Sequence, residues 1–468
     1  MTSTPASEVS SAALSGPYPA PRWERWASWL FLAVFAAAGF CHVHTNTIFG
    51  QDFGLHDFGT NEMMKDAHKW FPQDFTNRPM IYWLGCAGHW LSHGKAPYEV
   101  AGSLCVLMNT LAMFFVYDST RSFIRSPWLR LSAFAFVAFL PTTLVSTVVY
   151  AGDATGGLPF ALAVWGLVRC LNAASLRSSL HYAVVAMGGF ILGQYCRFPF
   201  IGLPLTGVVA LVLVWRWGRI PWQRALGLGA IILVVPTLVG LWINRQAQLD
   251  LRGQEEHHTH DWNGTGEMTW RYLLLPIKRD VRIFNAPGYW DNEKFEGREG
   301  AALALEHNYS YPALLHLGIY TDVLDYANEG QNDNGAPRPE PQKTLCVWSV
   351  RVGVITSLGM FVSILLLMGR SVKALFTGRN APSTGAGVWG LMALAWFLPI
   401  VLAFPYVHFV YESGYFLTRL IVTALWGFGL VFFAELDQRL AARPRWITIA
   451  VALFIFAQAA MHARSVWY

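Results

Sequence analysis

Apolar blocks of the length needed to cross a bilayer recur along most of this chain. About 20 such residues in a row are enough for a helix to span the hydrocarbon core. They fall at 26–44, 98–117, 131–150, 156–173, 180–195, 200–215 and 225–243, then at 345–368, 387–404, 415–434 and 446–462. In lipid every backbone N–H and C=O must be satisfied within the segment, so each block has to be helical. Composition agrees: 54% of the 468 residues are hydrophobic and only 13% charged, where a soluble domain carries about a quarter charged. The expected fold is an all-α polytopic membrane protein with about 11 transmembrane helices and an extracytoplasmic loop domain. The net charge of +5 is too small for this length to imply a nucleic-acid partner; the bilayer is the expected one.

Orientation follows from the short connectors. Basic residues gather before the first block (Arg22, Arg25) and in alternate connectors: Arg121, Arg125 and Arg130; Arg177; Arg216, Arg219 and Arg224; Arg370, Lys373 and Arg379; Arg439, Arg443 and Arg445. Positive connectors stay cytoplasmic, so the N-terminus is expected inside a cell (inner) membrane, and the large loop outside. The chain then divides into a Ser-, Ala- and Pro-rich cytoplasmic tail expected to be disordered (1–22), an N-terminal membrane module (23–243), an extracytoplasmic loop domain (244–344) and a C-terminal membrane module (345–468). The first apolar block reads as a retained anchor, since no cleavage site clearly follows it. The six cysteines show no CxxC pair and read as small buried hydrophobes.

The first outer segment, 45–97, holds the acids Asp52, Asp57 and Glu62 in "GQDFGLHDFGTNEMM". A carboxylate at the edge of low-dielectric lipid has a tunable pKa and suits proton transfer; a solvated loop is the plainer reading. The apolar patch 79–91 that follows is too short to span comfortably and reads as a helix lying in the interface. Cations come next: Arg78 before Pro79, Arg197 in "YCRFPF" and Arg419 in "GYFLTRLIV". An arginine at a helix end in the membrane marks a site or a structural pair, and its forked guanidinium matches phosphate. Asp153 in "YAGDATGG" suits a helix cap or a supporting role. His408 and Glu412 lie in the last short outer connector. The run "EEHHTHDW" has metal-ligand residue types without the spacing of a defined site, so no metal site is expected. "NGT" at Asn263 and "NYS" at Asn308 fit the glycosylation pattern and carry no function here.

Several stretches resemble the C-type membrane glycosyltransferases, in particular the bacterial branch related to protein O-mannosyltransferases and the aminoarabinose transferase of lipid A modification. "NRPMIYWLGCAGHWL" is similar to that family's surface helix with His-Pro-Pro-Leu, Asn77-Arg78-Pro79 standing where His-Pro-Pro would be. "ILGQYCRFPFIGLPL" resembles the stretch in which Lys-Gly-Pro leads into a span, with Arg197 in place of the Lys. "SGYFLTRLIVTALWG" resembles the late Arg-Tyr-Leu-Leu-Pro stretch, and "YAGDATGGLPFALAVWGLVRCL" the segment in which an Asp opens the fourth span. The adjacent Asp-Glu of many members is missing from the first outer loop.

The resemblance implies transfer of a hexosyl or pentosyl group from a polyprenyl-phosphate sugar donor to an extracytoplasmic lipid, glycan or protein acceptor, with inversion at the anomeric carbon. It implies a catalytic carboxylate among Asp57, Asp52 and Glu62. Asp57 comes first because it precedes a surface helix, as the family's acid does. Arg197, Arg419 and Arg78 would bind the donor phosphate, with Asp153, His408 and Glu412 in support. No cofactor is implied, and a divalent metal is left open. Two other readings share this architecture: a transporter or flippase of lipid-linked or small polar substrates, and an enzyme like an O-antigen ligase or polymerase. Transporters of this size often show internal repeats, and none is visible here.

Overall fold

The computed structural model describes residues 17–45, 79–148, 155–196, 203–217, 220–251, 316, 319–320, 342–377, 383–411 and 416–466. Among them the regular structure is helical throughout. In chain order the helices are α1 (Arg22–Thr45), α2 (Pro79–Ser92), α3 (Pro97–Thr120), α4 (Pro127–Ala138), α5 (Pro141–Val148), α6 (Gly157–Asn172) and α7 (Leu176–Cys196). They continue with α8 (Leu203–Arg216), α9 (Trp222–Leu251), α10 (Gln342–Thr377), α11 (Thr384–Tyr411), α12 (Phe416–Leu440) and α13 (Arg445–Val466). Among the described residues five stretches are long and apolar enough to cross a membrane: Glu99–Thr120, Trp222–Ile243, Thr344–Thr377, Ile421–Leu440 and Arg445–Val466; shorter apolar helices accompany them. The protein is an all-α polytopic membrane protein.

Over their described residues the apolar blocks of the sequence fall on helix, with one change. The described part of the block 131–150 is two helices, α4 and α5, broken at Phe139 and Leu140. Pro141 causes the break. It has no N–H to donate, its ring collides with the carbonyl four residues back, and it pushes the residue before it out of the helical region. The N–H of Phe139 closes α4 on the Ala135 carbonyl at 3.0 Å.

The exterior shows what the bundle faces. On α10 Ile355, Leu358, Phe361 and Leu365 are each more than half exposed and recur at helical spacing, a stripe of large apolar side chains that water would not tolerate. The interior is tight where small residues allow it. A Cβ at Gly166 would lie 2.7 Å from the Ala186 nitrogen, and one at Gly189 would lie 2.8 Å from the Pro159 carbonyl oxygen. The backbones of α6 and α7 therefore touch, the usual means of helix association in lipid.

The basic connectors meet at one end of the bundle. Arg130 Nε and Nη2 hold both oxygens of Glu24 at 2.6 Å. Asp118 takes Arg121 at 3.0 Å and also Arg169. Asp437 takes Arg125, and Glu435 takes Arg370. Arg224 donates to the Cys170 and Ala173 carbonyls that close α6. These bonds tie the starts of α1, α4 and α9 and the ends of α3, α6, α10 and α12 together at this end.

Candidate active end of the helix bundle

The four buried acids among the described residues are Glu24, Asp118, Glu435 and Asp437, and each is ion-paired with arginine at the basic end. Glu24 also accepts the Tyr117 hydroxyl at 3.0 Å, and Asp118 the Trp165 indole N–H at 2.8 Å. The remaining N–H donors of Arg130 are occupied as well: Nη1 donates to the Ile124 and Arg125 carbonyls, and Nη2 also reaches the Pro19 carbonyl. Both oxygens of Glu24, Asp118 and Asp437 are engaged; Glu435 meets Arg370 through Oε1, and its Oε2 is buried without a partner among the described residues. These acids hold helix ends together.

The opposite end collects the helix termini that border the sequence-derived candidates. Asp52, Asp57, Glu62, Arg78, Asp153, Arg197 and Glu412 lie outside the described residues, as do the His257–Asp261 run and both glycosylation patterns. Their chain neighbours are described. The Cys196 thiol, one residue before Arg197, contacts the Thr155 carbonyl oxygen, two residues after Asp153, at 3.3 Å. The Trp83 ring, early in α2, lies 4.9 Å from the Tyr195 ring at the end of α7. Thus the start of α6, the end of α7 and the helix that follows Arg78 converge. α2 packs on α3 and α7, where the sequence led us to expect an interface helix; its Trp90 is largely exposed.

α12 joins the same end. A Cβ on Gly157 would meet the Asn109 side chain at 2.6 Å and the Trp426 ring at 2.7 Å, and the Trp426 indole donates to the Thr143 hydroxyl at 3.0 Å. Arg419 stands in the first turn of α12, seven residues and about 10 Å of helix beyond Trp426. His408 stands in the last turn of α11.

A polar network that the sequence did not reveal docks part of the large loop here. Thr356 on α10 donates to the Gly353 carbonyl at 3.0 Å, so its oxygen accepts from the Tyr320 hydroxyl at 2.7 Å and the Gln458 amide at 3.1 Å. His316 Nε2 lies 2.9 Å from the Val350 carbonyl, which can only accept, so this nitrogen carries the proton. Its Nδ1 then accepts from the Ser357 hydroxyl at 3.0 Å. The Tyr320 ring occupies the space beside Gly353, where a Cβ would come within 2.5 Å of it. Burial pushes the Tyr320 hydroxyl up to about 12 and holds the His316 imidazole below its ordinary value; the bond to Val350 acts in the other direction. The only sequence signal for this dock is a short apolar patch around 312–320, which period and composition do not distinguish from any buried turn.

Among the described residues no group of three or more His, Cys, Asp or Glu is gathered as a metal site requires.

No protein-family model matches the chain, and no curated protein matches it. Solved structures resemble it in part. One is ArnT from Cupriavidus metallidurans bound to undecaprenyl phosphate, 17% identical over 88% of this chain and 78% of that one, TM-score 0.39. Another is the archaeal oligosaccharyltransferase AglB from Archaeoglobus fulgidus in complex with an inhibitory peptide and a dolichol-phosphate. It is 11% identical, with TM-score 0.48, over 96% of this chain but only 56% of that one. The Archaeoglobus fulgidus oligosaccharyltransferase in the apo form aligns with 14% identity and TM-score 0.48 over 95% of this chain and 57% of that chain.

Proposed function

We propose that this protein is a membrane glycosyltransferase that moves a sugar from a polyprenyl-phosphate donor to an acceptor on the extracytoplasmic side. The observation that carries the reading is the contrast between the two ends of the bundle. At the basic end every buried described acid is neutralised by arginine. At the other end Cys196 meets Thr155 and Trp83 meets Tyr195, which supports bringing the stretches with Asp153, Arg197 and Arg78 into one neighbourhood.

In this reading a first-loop carboxylate, Asp57 ahead of Asp52 and Glu62, takes the proton from the acceptor hydroxyl. The acceptor oxygen attacks the anomeric carbon, and the bond from that carbon to the lipid phosphate oxygen breaks. The phosphate leaves with the electron pair. Arg197 and Arg419, with Arg78, stabilise the charge it gains, and attack opposite the leaving group inverts the anomeric centre. Asp153, His408 and Glu412 orient those cations. The 244–344 loop, docked through Tyr320, holds the acceptor.

The test supplies membranes containing the protein with labelled polyprenyl-phosphate sugar and follows transfer to envelope lipid, glycan or protein. Asp57→Asn is expected to lower the rate by about 10²- to 10⁴-fold, and Arg197→Gln by about 10²- to 10³-fold. Unchanged transfer in Asp57→Asn, Asp52→Asn and Glu62→Gln removes the acidic loop from catalysis. Accumulation of substrate in sealed vesicles without product replaces the transferase reading with a transporter.

A further inference from the structure

The turn between α12 and α13, with the starts of α1 and α4, encloses a cavity of about 570 Å³ at the basic end. Three arginines line it: Arg125, Arg443 and Arg445. One carboxylate, Asp437, lies among them, and it is already engaged. Its Oδ1 accepts the Ser126 N–H at 3.0 Å, and its Oδ2 accepts the Arg125 N–H at 3.1 Å and the Arg125 Nε at 3.3 Å. Asp437 therefore closes the start of α4 and leaves Arg443 and Arg445 uncompensated. Neither has an ion pair among the described residues, in contrast to Arg130, Arg169 and Arg370 at the same end.

The walls of the cavity say what kind of anion fits. Trp23 and Trp128 form a tilted pair with centroids 4.9 Å apart on one side. Trp26 and Trp446 beside them are largely exposed, so this rim carries the indoles that prefer the depth of lipid headgroups. Ile449 lies one helical turn, about 5 Å, below Arg445 on α13. It continues the cavity as an apolar surface toward the membrane. A soluble phosphate would use the cations and leave the tryptophans and this apolar floor unexplained. A diacyl phosphodiester uses all three.

We propose that this cavity binds the headgroup of an anionic phospholipid. The phosphodiester lies between the guanidinium groups of Arg443 and Arg445, which match its oxygens as forks. The free face of Arg125 lies behind it, and the acyl chains pass over Ile449 into the leaflet. The site is separate from the transfer end and stands whether or not the protein transfers sugar.

The full-length protein is reconstituted in nanodiscs of phosphatidylcholine with phosphatidylglycerol, and the lipids retained after gentle detergent extraction are counted by native mass spectrometry. The wild type is expected to keep phosphatidylglycerol over phosphatidylcholine by about thirtyfold, the effect of two arginines at a charged surface. R443Q/R445Q should lose that preference. The control pair R177Q/K373Q removes the same charge from basic connectors outside the cavity and should keep it. I449W, which fills the acyl path with every charge in place, should also lose it, so the proposal does not depend on the folding of the arginine variant. Equal retention of the two lipids by the wild type overturns the proposal. So does an unchanged preference in both R443Q/R445Q and I449W, or a control pair that falls as far as R443Q/R445Q. Displacement of the lipid by millimolar inorganic phosphate alone reassigns the cavity to a soluble anion and overturns the lipid source.

Discussion

Glu24 and Arg130 stand 106 positions apart and are both essentially excluded from solvent. Their worth is conditional. Removing one partner leaves a buried charge without compensation, which costs about 3–5 kcal/mol, whereas replacing both with apolar side chains of similar volume is often close to neutral. Glu24→Gln or Arg130→Met alone should therefore lower unfolding stability by that amount in detergent titration, and the double change to Leu and Met should restore most of it. His316 gives a second prediction. Its folded imidazole is held below the ordinary value of 6.5 by burial, so the unfolded chain binds more protons in the window between the two values. Stability contributed by the dock is full above about 6.5, falls as pH drops through the window and levels off below the folded value. A His316→Asn variant should remove this slope, read as thermal transition against pH. The sequence shows that arginines belong near the connectors. It does not show which carboxylate each one finds, because those partners are joined only by the fold.

Between α6 and α7 contact rests on glycine. Gly189→Leu would drive a side chain into the backbone at Ala163 and Pro159, and overpacking of this kind costs about 1–3 kcal/mol or more. The expected outcome is a lower yield of folded protein and a reduced transition, with no comparable effect from alanine at Gly188, where a Cβ meets nothing. Helix existence was legible at this scale because hydrocarbon allows an apolar block no other form. The break at Pro141 was legible too in principle, yet the block was long enough to read as one span. The placement of α2 against α3 and α7 was not legible, since a short apolar helix has the same pattern whether it lies on lipid or on protein.

The bundle as a whole has one end where arginines meet acids and another where helix termini bordering the candidate site converge. From the charge bias we propose that the first end is cytoplasmic. Single cysteines at Lys373 and Asn308, in a background without the native six, test this with an impermeant maleimide on intact cells. Labelling at 308 and not at 373 is expected; the reverse pattern inverts the protein. The grouping of the basic connectors at one end follows from the alternation of spans, so it could be read in advance, and the ion pairs of Glu24, Asp118, Glu435 and Asp437 agree with it.

By itself the sequence determined that this chain is a many-spanning helical membrane protein, where its helices lie and which connectors share an end. Lipid accepts only self-satisfied helices, and positive charge resists translocation, so composition and order suffice for these properties. Only the tertiary structure decided that the buried acids of the basic end are spent on arginine, that Tyr320 fastens the large loop beside Gly353, and that Arg443 and Arg445 face a cavity with no acid left to neutralise them. Each of these depends on side chains far apart in the chain meeting at a distance of a few ångströms, and no local pattern encodes that meeting.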